Sequence, residues 1–263
     1  MSAHVPEPPR RPWAPAVLVL IVFLFLSGCA DRPAAAPAAF PHGAAGPEAE
    51  GERAALAVPA VPRVVPQEIP GLGPATRDLI PSGALQAFVV TGEDADSNRS
   101  TAVLYARDSP AADWRPVTGL WPAHNGMQGW TGFHEAGDLR SPTGVYALTD
   151  AGGLLPDPGT LLPYDQHEYF ATDGEGFFGE SLEGSFDYVV AINYNRTPGM
   201  SPLDRTRPLG AERGGGIWIH VDHGGPTQGC VSVEEEHMEE LLRTLDPAKQ
   251  PVIVMGDATS LAR

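Results

Sequence analysis

The segment 214–233 holds a histidine and a cysteine whose side chains are suited to acyl transfer. Cys230 would act as the nucleophile, and because a thiol attacks as its thiolate it needs a neighbouring base. His220, upstream of it, is the candidate base, since imidazole accepts a proton near neutral pH. Gly229 has no side chain, so a substrate can approach the backbone closely there, and nearby backbone N–H groups would hold an oxyanion.

Short elements must bring these two side chains together. Apolar residues alternate along 217–221, which predicts a strand that carries His220, and a Gly-Gly-Pro turn follows it. Apolar residues recur at helical spacing in 234–245, which predicts a helix directly after the Cys230 segment. We therefore expect the turn to fold His220 back beside Cys230, and the dipole of the helix to favour a thiolate there.

The rest of the chain divides into a tether and a mainly β domain. Strand-like composition marks five further segments, separated by Gly, Pro and Asp clusters: 85–91, 102–107, 144–148, 188–194 and 252–255. With the one clear helix, they predict a mainly β catalytic domain over residues 81–258. Residues 29–80 are rich in Ala and Pro and have little apolar surface to bury, so we expect a disordered tether there.

The N-terminal residues indicate export. Two arginines precede an apolar run at 16–26, which is too short to span a bilayer comfortably and fits the core of a signal peptide. The run ends in Leu-Ser-Gly-Cys29, which resembles a bacterial lipobox. The resemblance implies a lipoprotein signal peptide over 1–28, lipid on Cys29, and a place on the cell membrane facing the cell wall. The alternative is an uncleaved membrane anchor with an incidental cysteine.

The cysteine count and the charge narrow the function further. The chain has two cysteines, so lipid on Cys29 leaves Cys230 without a disulfide partner. An unpaired thiol in an oxidising compartment is a liability unless it is buried or used chemically. The net charge is −16 and Lys249 is the single lysine, which excludes nucleic-acid binding because that function needs a basic face to neutralise phosphates.

Four ordered blocks make the chain resemble the L,D-transpeptidase catalytic domain, also called the YkuD-like domain, and an actinobacterial-type lipoprotein branch of it. The family's motif is a histidine on a strand, a loop, and then Ser/Thr-His-Gly-Cys. In this chain His220 is followed by the block Thr227-Gln228-Gly229-Cys230. The other blocks are Ser-Pro-Thr-Gly-Val-Tyr at 141–146, Ala-Ile-Asn-Tyr-Asn at 191–195 and Gly-Gly-Gly-Ile-Trp-Ile at 214–219.

The resemblance implies a β-sandwich and acyl transfer on peptidoglycan stem peptides, with no metal and no organic cofactor. Cys230 would attack the carbonyl of the third stem residue, release the terminal D-alanine and pass the acyl group to an amine of a neighbouring stem. His220 would move the protons while the backbone carbonyl of Val221 orients its ring, and Gly229 would support the oxyanion. Three nearby side chains are candidate supporting residues: Thr227, Gln228 and His223.

The chain also departs from the family's pattern. Gln228 stands where the family has a histidine, Ser232 stands where it has Arg or Asn, and the loop between His220 and Cys230 is short. These departures leave two alternatives open: a cysteine hydrolase of peptidoglycan (an L,D-carboxypeptidase or amidase), or a catalytically silent lipoprotein that binds peptidoglycan. A papain-like peptidase is disfavoured, because its cysteine precedes its histidine.

Two alternative interpretations concern Cys230 itself. In the first, Cys230 is a buried structural thiol, since free cysteines are among the most buried residues. In the second, Cys230 is one ligand of a zinc site, and the imidazoles of His220, His223 and His237 are the others. The spacing of these residues matches no common zinc pattern.

Three further groups of residues have candidate binding roles beside a more ordinary one. Nine acids and no Lys or Arg lie in 150–187, where they would attract an amine, but a solvated surface is favoured. Surface solvation is also favoured for four arginines that would meet a substrate carboxylate: Arg196, Arg205, Arg207 and Arg213. Four aromatic residues would line a groove or, more commonly, belong to the core: Trp130, Tyr164, Phe177 and Phe178.

Overall fold

A computed structural model describes residues 67–263. Its strands are β1 (Gln86–Gly92), β2 (Arg99–Ala106), β3 (Arg115–Pro116), β4 (Trp121–His124), β5 (Trp130–Thr131), β6 (Ser141–Pro142), β7 (Gly144–Gly153), β8 (Tyr164–Gln166), β9 (Val189–Ile192), β10 (Trp218–Val221), β11 (Val231–Val233) and β12 (Val252–Asp257). Its α-helices are α1 (Pro74–Asp78), α2 (Glu235–Thr244) and α3 (Ala258–Leu261). The expected signal peptide over 1–28, Cys29 and most of the expected tether lie outside the described residues.

One large sheet forms the body of the domain. Its strands follow the order β1-β12-β7-β9-β10-β11-β4-β2-β3, and β8 pairs with β7. β1 also pairs with β2, so the sheet closes on itself into a barrel-like sandwich. β5 and β6 form a separate parallel pair. The prediction of a mainly β fold with few helices is confirmed, and each segment that we predicted as a strand overlaps one.

Helix α2 packs its apolar face into the larger of two cores. Met238, Leu241 and Leu242 are fully buried, together with Ile219 of β10 and Val231 of β11. The helical spacing read from the sequence is therefore the spacing of this buried face. Because α2 packs against β10, the strand that carries His220, the core supports one side of the candidate site. No helix within residues 67–263 has the length and apolarity needed to cross a membrane.

A second, smaller core lies on the other face of β1 and β12 and corrects the domain boundary. Ile69 and Leu72 are 2% and 6% exposed and pack there. The N–H of Gly73 donates to the carbonyl of Leu261 at 2.8 Å. Residues 67–80, which we expected to belong to the tether, are thus part of the domain. The average composition of 29–80 hides two apolar residues that find partners only in the folded sheet.

The boundary can be tested with two leucines that differ in burial. Replacing Leu72 by alanine should lower the free energy of unfolding by roughly 2–3 kcal/mol, because the cavity left in the core only partly collapses. Leu79, 62% exposed, is the matched control, and its alanine variant should change stability by less than about 0.5 kcal/mol. Thermal or denaturant unfolding measures both. Equal stabilities for the two variants would return residues 67–80 to the tether.

Candidate active site

Parallel pairing of β10 with β11 brings His220 and Cys230 together. The register pairs Ile219 with Val231 and His220 with Ser232, so Cys230 lies at the entrance of β11 beside Trp218. The N–H of Trp218 donates to Sγ of Cys230 at 3.4 Å, and Sγ lies 3.7 Å from the carbonyl oxygen of Gly216. The loop 222–229 connects the strands and makes the chain return beside its own histidine.

The imidazole of His220 is buried and held in one orientation. Its Nδ1 lies 2.8 Å from the carbonyl oxygen of Val221, the contact that the family resemblance led us to expect. That contact keeps the proton on Nδ1 and leaves a lone pair on Nε2. The ring of Phe186 meets it edge-on, with ring centroids 5.2 Å apart. Burial lowers the pKa of His220 to about 4, so the ring is neutral at pH 7 and can act as a base.

The thiol of Cys230 is protonated in the resting protein. Burial raises its pKa to about 11, and the N–H of Trp218 opposes this rise only in part. Strand β11 separates Cys230 from α2, which begins at Glu235. The expectation that a helix dipole favours a thiolate is therefore wrong, because the dipole acts within about one turn of the helix end. Within residues 67–263 no hydrogen bond joins His220 to the thiol.

Two hydroxyl groups hold the backbone of Cys230. Thr227 donates through Oγ1 to the carbonyl of Cys230 at 2.7 Å and accepts the N–H of Gly229 at 3.1 Å. Ser141, fully buried, donates through Oγ to the carbonyls of Gly229 at 2.8 Å and Cys230 at 3.1 Å. Sequence reasoning noticed Ser141 only as part of the Ser-Pro-Thr-Gly block, because nothing in the sequence spacing shows that it reaches Cys230.

Glycine is required at position 229 for two reasons. Its φ of +146° is a conformation that other residues rarely adopt. A Cβ there would also lie 3.0 Å from the carbonyl oxygen of Arg140. We expected a substrate to approach the backbone at Gly229, which does line the cavity. The chain itself also approaches closely there, through the carbonyl of Arg140.

A cavity is lined by both His220 and Cys230 together with all three candidate supporting residues, Thr227, Gln228 and His223. Gln228 is exposed there. The ring of His223 stacks on that of His220 with ring centroids 5.8 Å apart and planes 10° apart. On its other side, Nδ1 of His223 lies 3.3 Å from Oε1 of Glu180, outside the geometry of a hydrogen bond.

The arginines that we considered as carboxylate ligands divide into two pairs. Arg196 is buried and forms an ion pair with Asp150 at 2.8 Å, and the guanidinium of Arg213 lies 3.8 Å from the ring centroid of Phe133. Arg205 and Arg207, in contrast, line the cavity. Of the expected acids, Glu168 and Glu175 line it too, so basic and acidic groups share one cavity.

The aromatic residues divide in a similar way. Phe177 lines the cavity, and Phe178 is exposed without lining it. Trp130 is buried and Tyr164 packs against the core, which is the ordinary role for aromatic residues in such a domain. Trp218 lines the cavity beside the thiol and was not among the groove residues that we predicted.

Ser232 takes part in a buried polar network below the site. Its Oγ donates to Oδ1 of Asp222 at 2.6 Å, and Nδ1 of His124 lies 2.8 Å from the same oxygen. Burial acts to raise the pKa of Asp222, but the hydrogen bonds from His124 and Ser232 outweigh it and lower the pKa to about 2. The hydrogen bond to Asp222 raises the pKa of His124. Ser232 therefore joins the ends of β10 and β11.

The zinc-site interpretation finds no geometric support. His237 stacks on Trp121, with ring centroids 4.5 Å apart and planes 13° apart. In the part of the chain that the structure describes, no group of three or more His, Cys, Asp or Glu side chains is placed to hold a metal ion.

The chain matches a known protein family. The family model for the L,D-transpeptidase catalytic domain (YkuD) matches residues 94–254, more than half of the chain and the part that contains His220 and Cys230. No curated protein and no solved structure matches the chain.

The protonation of Cys230 can be measured by its reactivity. In a Cys29→Ser variant, alkylation by iodoacetamide should still rise about tenfold per pH unit between pH 8 and 10, because only the thiolate reacts and a pKa near 11 keeps its fraction small. A second substitution, Cys230→Ala, gives the background rate. A plateau below pH 9 would show that the thiol is already activated in the free protein.

Proposed function

The chain belongs to the L,D-transpeptidase (YkuD) family, and from this premise we propose that it cross-links peptidoglycan stem peptides through an acyl-enzyme on Cys230. The observation that supports the proposal most directly is the neutral, oriented imidazole of His220 in the same cavity as the thiol. No metal or organic cofactor takes part in the reaction that we propose.

In the first half-reaction, Sγ of Cys230 attacks the carbonyl carbon of the third stem residue. His220 accepts the thiol proton at Nε2 and gives it to the departing amine of the terminal D-alanine. A thiol with a pKa of about 11 and an imidazole with a pKa of about 4 do not exchange a proton spontaneously, because the transfer is uphill by several pKa units of about 1.4 kcal/mol each. Proton transfer therefore accompanies formation of the C–S bond in the bound complex.

Backbone groups beside the nucleophile would stabilise the oxyanion. The N–H of Gly229 is already directed to Thr227, so the N–H of Cys230 is the donor that we assign to the oxyanion. Ser141 donates to the carbonyl of Gly229, which lies in the same peptide plane as the N–H of Cys230 and so fixes the direction of that N–H. Thr227 holds the next carbonyl, that of Cys230. Preorganised donors of this kind require no rearrangement during the reaction.

The cellular place of the protein is part of the proposal. Leu-Ser-Gly-Cys29 after the apolar run supports export and a lipid anchor on Cys29. An Ala/Pro-rich tether between Cys29 and the domain would carry the site from the membrane to the peptidoglycan stems.

Substitution of the two central residues tests the chemistry. Cys230→Ala should abolish the thioester that mass spectrometry detects after incubation with a tetrapeptide stem. His220→Gln should slow its formation by about a hundred- to ten-thousand-fold, the usual cost of losing a general base. His223→Gln is the control, because His223 stacks on His220 but lacks its contact with Val221, and it should lose far less.

Four outcomes would revise the proposal. Full acyl-enzyme formation in Cys230→Ala ends it. A dead His223→Gln beside an active His220→Gln moves the role of base to His223. If the thioester forms in the wild-type protein but passes only to water when an acceptor stem is present, the protein is a hydrolase of the same family; if no thioester forms, the silent peptidoglycan-binding alternative holds.

Anchoring is tested separately from the chemistry. Cys29→Ala should release the protein from the membrane fraction or block its processing, because it removes the only group in that segment that could carry the lipid. Fractionation and labelling with a fatty-acid probe measure this, with Ser27→Ala as a control that keeps the cysteine. Unchanged labelling in Cys29→Ala contradicts the lipid anchor and leaves the enzymatic proposal as it stands.

A further inference from the structure

A second imidazole lies against the nucleophile loop and is not used in the reaction described above. His134 is 4% exposed, yet it lines the same cavity as Cys230. A side chain at position 229 would place its Cβ 3.6 Å from Cε1 of His134, and one at position 214 would place it 2.7 Å from Nε2. The ring therefore lies between Gly214 and Gly229.

The ring of His134 is locked in place by its neighbours. Tyr194 meets it edge-on, with ring centroids 5.3 Å apart and planes 77° apart. Gly214 has a φ of +64°, and a larger residue there would displace the ring. A side chain with this little freedom loses little further entropy when it binds a substrate group.

The two nitrogens of His134 have different surroundings. Nδ1 lies 2.9 Å from Oδ1 of Asp138, a charge contact outside the geometry of a hydrogen bond. Backbone N–H groups of Glu135 and Arg140 donate to the same carboxylate at 2.9 Å each, which holds it in position. The carboxylate favours the proton on Nδ1, so the lone pair is on Nε2. Nε2 makes no hydrogen bond among residues 67–263, and His134 lines the cavity, so a ligand there can reach it.

This arrangement is unusual for a histidine that only packs. Buried polar atoms are nearly always hydrogen-bonded, because an unmade bond costs free energy. An imidazole that keeps one nitrogen beside a carboxylate and opens the other onto the cavity of the nucleophile has the arrangement of a general base. Gln228, which precedes Gly229 in the chain, cannot act in this way because a carboxamide does not accept a proton near neutral pH.

We propose that His134, with Asp138, is the base for the second half-reaction, in which an acceptor amine attacks the thioester; this rests on the proposed function. The lone pair of the amine forms the new C–N bond, the electron pair of the C–S bond returns to sulfur, and the amine's proton passes to Nε2 of His134. The imidazolium then releases a proton to solvent while the Cys230 thiolate takes one up. His220 serves the thiol in the first half-reaction, and His134 serves the amine in the second.

Single-turnover kinetics on the full chain separate the two half-reactions. The probes are a tetrapeptide stem as donor and a stem with a free side-chain amine as acceptor, with the thioester followed by intact mass. In His134→Gln, formation of the thioester should stay within about threefold of wild type, whereas its transfer to the acceptor should slow by about a hundredfold. Asp138→Asn should slow transfer by about tenfold, and Glu135→Gln, an exposed acid of the same loop, should change neither step.

The outcomes divide cleanly. Parallel loss of thioester formation and transfer in His134→Gln would show that the ring only supports the Cys230 loop and would overturn the proposal. Transfer at the wild-type rate would overturn it as well. If His134→Gln does not fold, as judged by thermal unfolding, Asp138→Asn decides, because it leaves the ring packed: a selective loss of transfer supports the proposal and unchanged rates refute it. A wild-type protein that forms no thioester refutes the proposed function itself, and this inference with it.

Discussion

The parallel pairing of β10 with β11 is the constraint on which the site depends. Two parallel neighbours usually need a long crossover, because the chain must return to the end at which it started. Here the loop 222–229 makes the return, and the same turn that closes the pair places Cys230 at the register position next to Trp218. Cys230 and His220 are therefore positioned by backbone hydrogen bonds of the sheet, and α2 packs against β10.

The buried groups at the site differ in charge. The thiol of Cys230 and the imidazole of His220 are uncharged, whereas the carboxylate of Asp222 below them is charged. Burial keeps the thiol protonated and the imidazole neutral, since a charge on either would be poorly solvated. Asp222 is charged at the same depth because three donors satisfy its carboxylate: Ser232, His124 and the N–H of Gly224. The fixed negative charge thus lies at the strand ends, where it stabilises the loop, and the thiol and the imidazole are both uncharged.

The local patterns of the sequence predicted the elements well and their long-range contacts poorly. Alternation and helical spacing located β10 and α2 because each pattern repeats within a few residues. The hydroxyl of Ser141 and the ring of His134 reach the Cys230 loop across a large sequence separation, and no local pattern records such a contact. The helix-dipole argument failed for the same kind of reason: three residues of β11 stand between the cysteine and the helix, and only the sheet register shows that they form a strand.

The short loop 222–229 is held by hydrogen bonds at both of its ends. Asp222 closes the first turn by accepting the N–H of Gly224, and the N–H of Asp222 donates to the carbonyl of Val233 at 2.8 Å. At the other end, Thr227 exchanges backbone hydrogen bonds with the neighbouring segment: its N–H donates to Asn125 at 3.0 Å and its carbonyl accepts from Met127 at 2.9 Å.

The segment 125–127 therefore acts as a short parallel strand against the loop, and it is joined to Ser141 through the N–H of Gly126. Ser141 also holds the carbonyl of Cys230. Together with Thr227 on the same carbonyl and the N–H of Trp218 on the thiol, it fixes the position of Cys230 in the free protein. Substitutions of Gln228, which is exposed on this loop, can then alter what the cavity binds without moving the thiol.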